Sequence, residues 1–254
     1  MEIEIVLAAL FAFLAGFVDA VVGGGGLVQV PALFVIFPHF LVPQVIATNR
    51  FASVMGTSVA VWQYLRKVKI DFKAVIPAAV GAAGMSFLGA KASSIIDASI
   101  LKPVILILML GIVIYTYTQK QLGEISKIHP SFNRVYTYNF LVGAILGFYN
   151  GLIGPGTGSL LVFALVSVVG YNFLMASAKA KIINVVADVF SLIAFLMGGF
   201  VMFKVAIPMM VCNMAGSYLG SRMAILKGNA FVRKFFLIVI LLLITRFAYD
   251  IFLK

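Results

Sequence analysis

The chain has 254 residues, of which 63% are hydrophobic and only 11% charged, against about 25% charged in a soluble domain. With a mean hydropathy of +1.14, that apolar excess makes lipid the expected solvent and excludes a soluble domain. The 19 Lys and Arg outnumber the 8 Asp and Glu, but no basic stripe with interleaved aromatics accompanies them, so the bias points to membrane orientation and not to nucleic acid.

In chain order, charged, Pro and Gly boundaries mark ten apolar segments at 4–22, 27–41, 44–65, 74–95, 99–118, 136–153, 158–172, 174–199, 204–225 and 231–252. Most reach the roughly 20 residues that cross a hydrocarbon core. The second and seventh are short for a full span and either cross or turn back near the midplane. The first follows Met1-Glu2-Ile3-Glu4, with no basic leader region, and is expected to be a retained span. Trp62, Tyr64, Tyr115, Tyr117 and Tyr136 lie near segment ends, as aromatic belts do. One cysteine, Cys212, and two histidines, His39 and His129, give no disulfide framework, metal-ligand spacing or cofactor motif.

The two halves align without a gap at an offset of 131 residues. Gly16 falls on Gly147, Asp19 on Asn150, Gly23 on Gly154, Arg50 on Lys181, Pro77 on Pro208 and Gly89 on Gly220. One register kept through Gly, Pro and basic positions predicts an internal duplication: a first repeat over 1–118, a linker over 119–134 and a second repeat over 135–254. Eleven Lys and Arg lie in the loops at 66–73, 119–134 and 222–234, against four on the other side. The positive-inside rule then places the N-terminus and C-terminus outside and the linker in the cytoplasm. Equivalent loops carry opposite charge bias, so the repeats are expected to be inverted, an architecture of secondary transporters. The fold class is an all-α polytopic membrane protein of two inverted five-segment repeats.

Each repeat carries a glycine cluster before its short segment: Gly23-Gly24-Gly25-Gly26 in the first, Gly154-Pro155-Gly156-Thr157-Gly158-Ser159 in the second. Gly costs about 1 kcal/mol and Pro about 3 relative to Ala in a helix, so both runs break the helix. Backbone groups freed at membrane depth must line a cavity or be buried in protein. Helix N-termini opening there attract anions, whereas close helix packing alone would also use small residues.

The third and eighth segments hold the intramembrane cations. Arg50 shares a helix face with Ser53 and Thr57, and Lys181 shares one with Asn184 and Asp188. A basic side chain at mid-bilayer costs about 2.5–3.5 kcal/mol on insertion scales and needs a partner or a task. Two such stripes suit an oxyanion. The bland alternative is structural pairing of Lys181 with Asp188 and of Arg50 with Asp19. Asp19 and Asp188, acids away from the outer ends of their segments, are candidates for proton coupling, while Lys179 lies off the Lys181 face and reads as interfacial.

AGFVDAVVGGGGLVQVPAL with ATNRF, and GFYNGLIGPGTGSLL with AKIIN, resemble the sulfite exporter TauE/SafE family over essentially the whole chain. The resemblance is nearest the bacterial probable membrane transporter branch. It implies a multi-pass inner-membrane protein that moves sulfite, sulfonates or related sulfur anions, with export reported for several members. Its glycine motifs fall on Gly23 to Gly26 and on Gly154, Gly156 and Gly158. The TN-basic motif falls on Thr48, Asn49 and Arg50, and the second basic motif on Ala180, Lys181 and Asn184. The expected substrate-binding set is Gly24, Gly25, Gly26, Asn49, Arg50, Ser53, Gly156, Thr157, Gly158, Ser159, Lys181 and Asn184. The expected partners are a small anionic sulfur substrate, a coupling proton or ion and the bilayer. A passive anion channel is the rival reading; a membrane-embedded enzyme would need a nucleophile with its base, and none is evident.

Overall fold

The computed structural model describes residues 2–93 and 132–252, and every regular element among them is helical. The segment expected at 99–118, with Tyr115, Tyr117 and His129, lies outside the described residues. The helices are α1 (Glu2–Val22), α2 (Gly25–Ile36), α3 (Val42–Lys67), α4 (Phe72–Ala92), α5 (Phe132–Leu152), α6 (Thr157–Ala164), α7 (Phe173–Met197) and α8 (Phe203–Phe252). A π-helical turn, Leu165–Val169, extends α6. Gly228, at φ 71° and ψ −163°, interrupts α8 between the segments expected at 204–225 and 231–252.

Local chemistry sets several of these boundaries. Glu2 and Glu4 place acid in the first turn of α1, where the helix dipole favours it. Asp71 caps α4 by accepting from the Lys73 N–H at 3.0 Å, and Asn172 caps α7 by accepting from the Met175 N–H at 2.8 Å. Pro43 sits in the first turn of α3, where its missing N–H costs nothing.

Among the described residues, three helices, α1, α4 and α7, combine the length and apolarity needed to cross a membrane. The 12 residues of α2 rise only about 18 Å, well short of a hydrocarbon core of roughly 30 Å. Side-chain size is arranged for lipid. Along α1 the large residues Ile3, Val6, Leu10 and Leu14 face outward, while Ala8, Ala12, Ala15 and Gly16 are buried. Helices in lipid gain little from hiding leucine, because the tails are equally apolar; small residues let the backbones approach instead.

That approach occurs between the halves. A Cβ on Gly16 of α1 would meet the Asn213 backbone of α8, with its Cα at 3.1 Å. One on Gly147 of α5 would lie 2.5 Å from the Ala82 Cα of α4. Both partners of the second contact are offset by 131 from those of the first (16 to 147, 82 to 213). The same holds for Gly220 against Phe17 and Gly89 against Phe148. Each half thus packs its first helix on the late helix of the other. Tyr64, expected in an aromatic belt, is instead fully buried and donates from its hydroxyl to the Ala20 carbonyl at 3.0 Å. A phenol can be buried where a backbone acceptor awaits it. Trp62 stays half exposed, with the Arg66 guanidinium 4.0 Å from its ring centroid.

Candidate functional site

The two glycine runs cross each other in contact. Gly23 and Gly24 adopt φ of 77° and 107°, and Gly154 and Gly156 both adopt 89°, the left-handed region that favours glycine. A Cβ on Gly158 would lie 2.6 Å from the Gly23 Cα, so only glycine admits the crossing. The Ser159 hydroxyl donates to the Gly23 carbonyl at 2.7 Å, and the Thr157 hydroxyl to the Gly154 carbonyl at 2.7 Å. Those two side chains therefore hold the loops in place and do not line the cavity. From the crossing, α2 and α6 lead away, leaving their first N–H groups beside it.

Beside the crossing lies a cavity of about 30 Å³, room for roughly two waters. Gly24 and Gly156 line it from the loops, Gly25 and Gly26 from the start of α2, Gly158 from the start of α6, Asn49, Arg50 and Ser53 from α3, and Asn184 and Asp188 from α7. Asp19 closes one wall. Of the residues expected from sequence, Thr157, Ser159 and Lys181 do not reach it. Gln29, Asn213, Ala15 and Gly154 also line it, beyond the expected set. Gln29 carries a usable signal: it is the sole polar side chain in the helix GGLVQVPALFVI.

Arg50 is 2% exposed and heavily engaged. Its guanidinium donates to the Asp188 carboxylate at 2.8 Å and to both the side-chain and main-chain oxygens of Asn150. The Phe195 ring centroid lies 5.8 Å from it, within cation–π reach. Asp188 also accepts from the amides of Asn150, at 3.0 Å, and Asn184, at 2.9 Å. Lys181, fully buried, reaches Asp19 at 3.4 Å, and the Thr57 hydroxyl donates to the same carboxylate oxygen at 3.1 Å.

The pairing therefore corrects the structural alternative drawn from sequence, which joined Lys181 to Asp188 and Arg50 to Asp19. Residues seven apart on one helix stand about 10 Å apart along its axis, whereas helix packing brings the other half's carboxylate alongside. The arrangement is reciprocal. Arg50 meets position 150 as Lys181 meets position 19, and Thr57 meets position 19 as Asp188 meets position 150. Lys179 does not face outward from the helices. It is buried, its ammonium 3.9 Å from the Tyr171 ring centroid.

The family profile described as Sulfite exporter TauE/SafE matches residues 8–247. A probable membrane transporter protein of Haemophilus influenzae is 33% identical, over 98% of this chain and 98% of its own length. The probable membrane transporter protein ORF9 of a Sinorhizobium species is 31% identical, over 96% and 93%. The probable membrane transporter protein YfcA of Escherichia coli K12 is 31% identical, over 98% and 92%. No solved structure matches the chain. By that profile match over nearly its whole length, the chain belongs to the sulfite exporter TauE/SafE family of membrane transporters.

Proposed function

We propose that the protein is a secondary carrier, working as an exporter, for a small sulfur oxyanion or organosulfonate. The observation that carries this reading is the seat of Arg50: a buried guanidinium on the wall of a polar cavity into which two broken helices open their N-termini. Cation and helix dipoles all favour negative charge at that point. Asn49, Ser53 and Asn184 offer directional hydrogen bonds beside it. Lys181 acts at one remove, by fixing Asp19.

The duplicated halves would be inverted repeats in an inner membrane, with the N-terminus outside and the 119–134 linker in the cytoplasm. The reciprocal contacts across the halves support a two-fold relation, and the charge bias of the loops supports its inversion. Access would alternate as one half rocks against the other about the glycine crossing. Asp188 shares Arg50 with any bound anion, so protonation of Asp188 or Asp19 is the proposed coupling step. A cavity sized for roughly two waters holds an anion only after the surrounding side chains ease apart, as a carrier's occluded centre does.

Counterflow in proteoliposomes tests this. Vesicles loaded with unlabelled sulfite or ethanesulfonate should transiently accumulate the labelled anion above equilibrium, with saturable kinetics and a response to a proton gradient. Flux that only dissipates a gradient and shows no counterflow would make the protein an anion channel instead.

A further inference from the structure

Among the described residues, four buried side-chain atoms have no hydrogen-bond partner: Gln29 Nε2, Asn49 Oδ1, Arg50 Nε and Asn139 Oδ1. Three of the four belong to residues lining the cavity beside the glycine crossing. Buried polar groups are nearly always paired, with protein, ordered water or a bound species, so such a cluster beside a cavity is where a ligand would find partners.

Two of these atoms are donors, each on a side chain anchored through its other polar atoms. The Gln29 side-chain oxygen accepts from the Asn213 amide at 3.2 Å, and Asn213 is itself anchored by donating to the Ala12 carbonyl at 3.1 Å. That leaves the Gln29 NH₂ unspent. Both terminal nitrogens of Arg50 have partners in Asn150 or Asp188, whereas its Nε has none. The donors come from α2 and α3 alone. The position matching Gln29 in the second half is Leu160, and the position matching Asn49 is Ala180. Lys181, which matches Arg50, is tied to Asp19 and is absent from the lining. The unpartnered side-chain donors are therefore one-sided, although both halves line the cavity.

Charge narrows the ligand further. Arg50 and Lys181 are matched by Asp188 and Asp19, so the buried ionisable groups around the cavity balance. A ligand's first negative charge meets two helix N-termini; a second would be uncompensated.

We propose that Gln29 is the specificity residue of this site, reading with the Nε of Arg50 two oxygens of one oxyanion, and that the site selects a singly charged oxyanion over a doubly charged one. The inference rests on the reading of the protein as an anion carrier and names what that carrier discriminates.

The test is binding to the purified full chain, using ethanesulfonate as the singly charged probe and sulfate as the doubly charged one. Gln29→Leu takes the residue of the matching position, and Gln29→Glu keeps the length but turns a donor toward an acceptor. Ethanesulfonate should bind the native protein at least roughly tenfold more tightly than sulfate. Both variants should lose roughly tenfold or more in ethanesulfonate affinity, a typical consequence of deleting a hydrogen bond to a charged group. Native protein that binds sulfate as tightly as ethanesulfonate overturns the charge selection, and it does so without any variant. Variants that are monodisperse and bind ethanesulfonate like native protein overturn the role of Gln29. If native protein carries ethanesulfonate while either result is obtained, only this inference falls. If it binds and carries neither anion nor sulfite, the carrier reading falls with it.

Discussion

Arg50 and Asp188 form an ion pair of 2.8 Å although 138 residues separate them, because α3 of the first half lies against α7 of the second. The second ion pair, Lys181 with Asp19 at 3.4 Å, runs in the opposite sense between the halves. Each cation is thus neutralised by the other half's chain. The two pairs hold the halves together at the level of the glycine crossing, where a rocking motion would have to turn. On the proposed reading, an anion at the Arg50 Nε would compete electrostatically with Asp188, which holds a terminal nitrogen of the same guanidinium.

Removing the carboxylate should expose that competition. Breaking a buried pair by deleting one partner typically costs about 3–5 kcal/mol. In Asp188→Asn the Asn150 oxygens still hold Arg50, so a loss near the lower bound is expected, read as a fall of several degrees in melting temperature. Ethanesulfonate should raise the melting temperature of this variant by more than it raises that of native protein. Equal rises would mean that Asp188 and the anion do not share Arg50.

Gly23 tests the crossing of the loops. Its φ of 77° strains any other residue, and an added Cβ would collide with the Gly158 backbone. Gly23→Ala should therefore cost more than about 2 kcal/mol and stop transport. Gly84, exposed on α4 with no atom within 4 Å of where a Cβ would stand, is the control. Gly84→Ala should be neutral or stabilising by up to about 1 kcal/mol, on propensity alone. Thermal melts of the two variants, side by side, settle the comparison.

The reciprocal packing predicts matched penalties. Gly16→Val drives a side chain into the Asn213 backbone, and Gly147→Val drives one into Ala82. Overpacking of this kind typically costs about 1–3 kcal/mol. Both variants should lose stability by similar amounts, whereas a large loss at one site and none at the other would argue against equivalent roles for the two contacts.

Much of the scaffold is legible in the sequence because its signals are compositional. Gly23–Gly26 and Gly154–Ser159 declare broken helices by propensity, and Arg50 and Lys181 stand out as charges inside apolar runs. Partner choice is not legible. Asp188 lies two turns from Lys181 in sequence, yet only tertiary packing reveals that Arg50 is nearer. Thr157 and Ser159 look like ligands because hydroxyls beside glycines suit an anion, but both spend their hydrogen on loop carbonyls. Gln29 stands out as the one amide in a short apolar helix, but which cavity that helix delivers it to is set by tertiary packing. Tyr64 looks interfacial by its place near a segment end; the carbonyl that buries it comes from another helix.

The most direct test of an anion site at Arg50 is saturable flux of ethanesulfonate and sulfite into proteoliposomes carrying Arg50→Gln. Glutamine keeps a donor and much of the side chain's length but removes the charge. Flux should fall at least roughly a hundredfold, the loss of about 2.7 kcal/mol of charge-assisted binding, while the variant remains monodisperse and helical. Saturable flux at the native level in that variant would contradict the site and reduce Arg50 to a structural partner of Asp188.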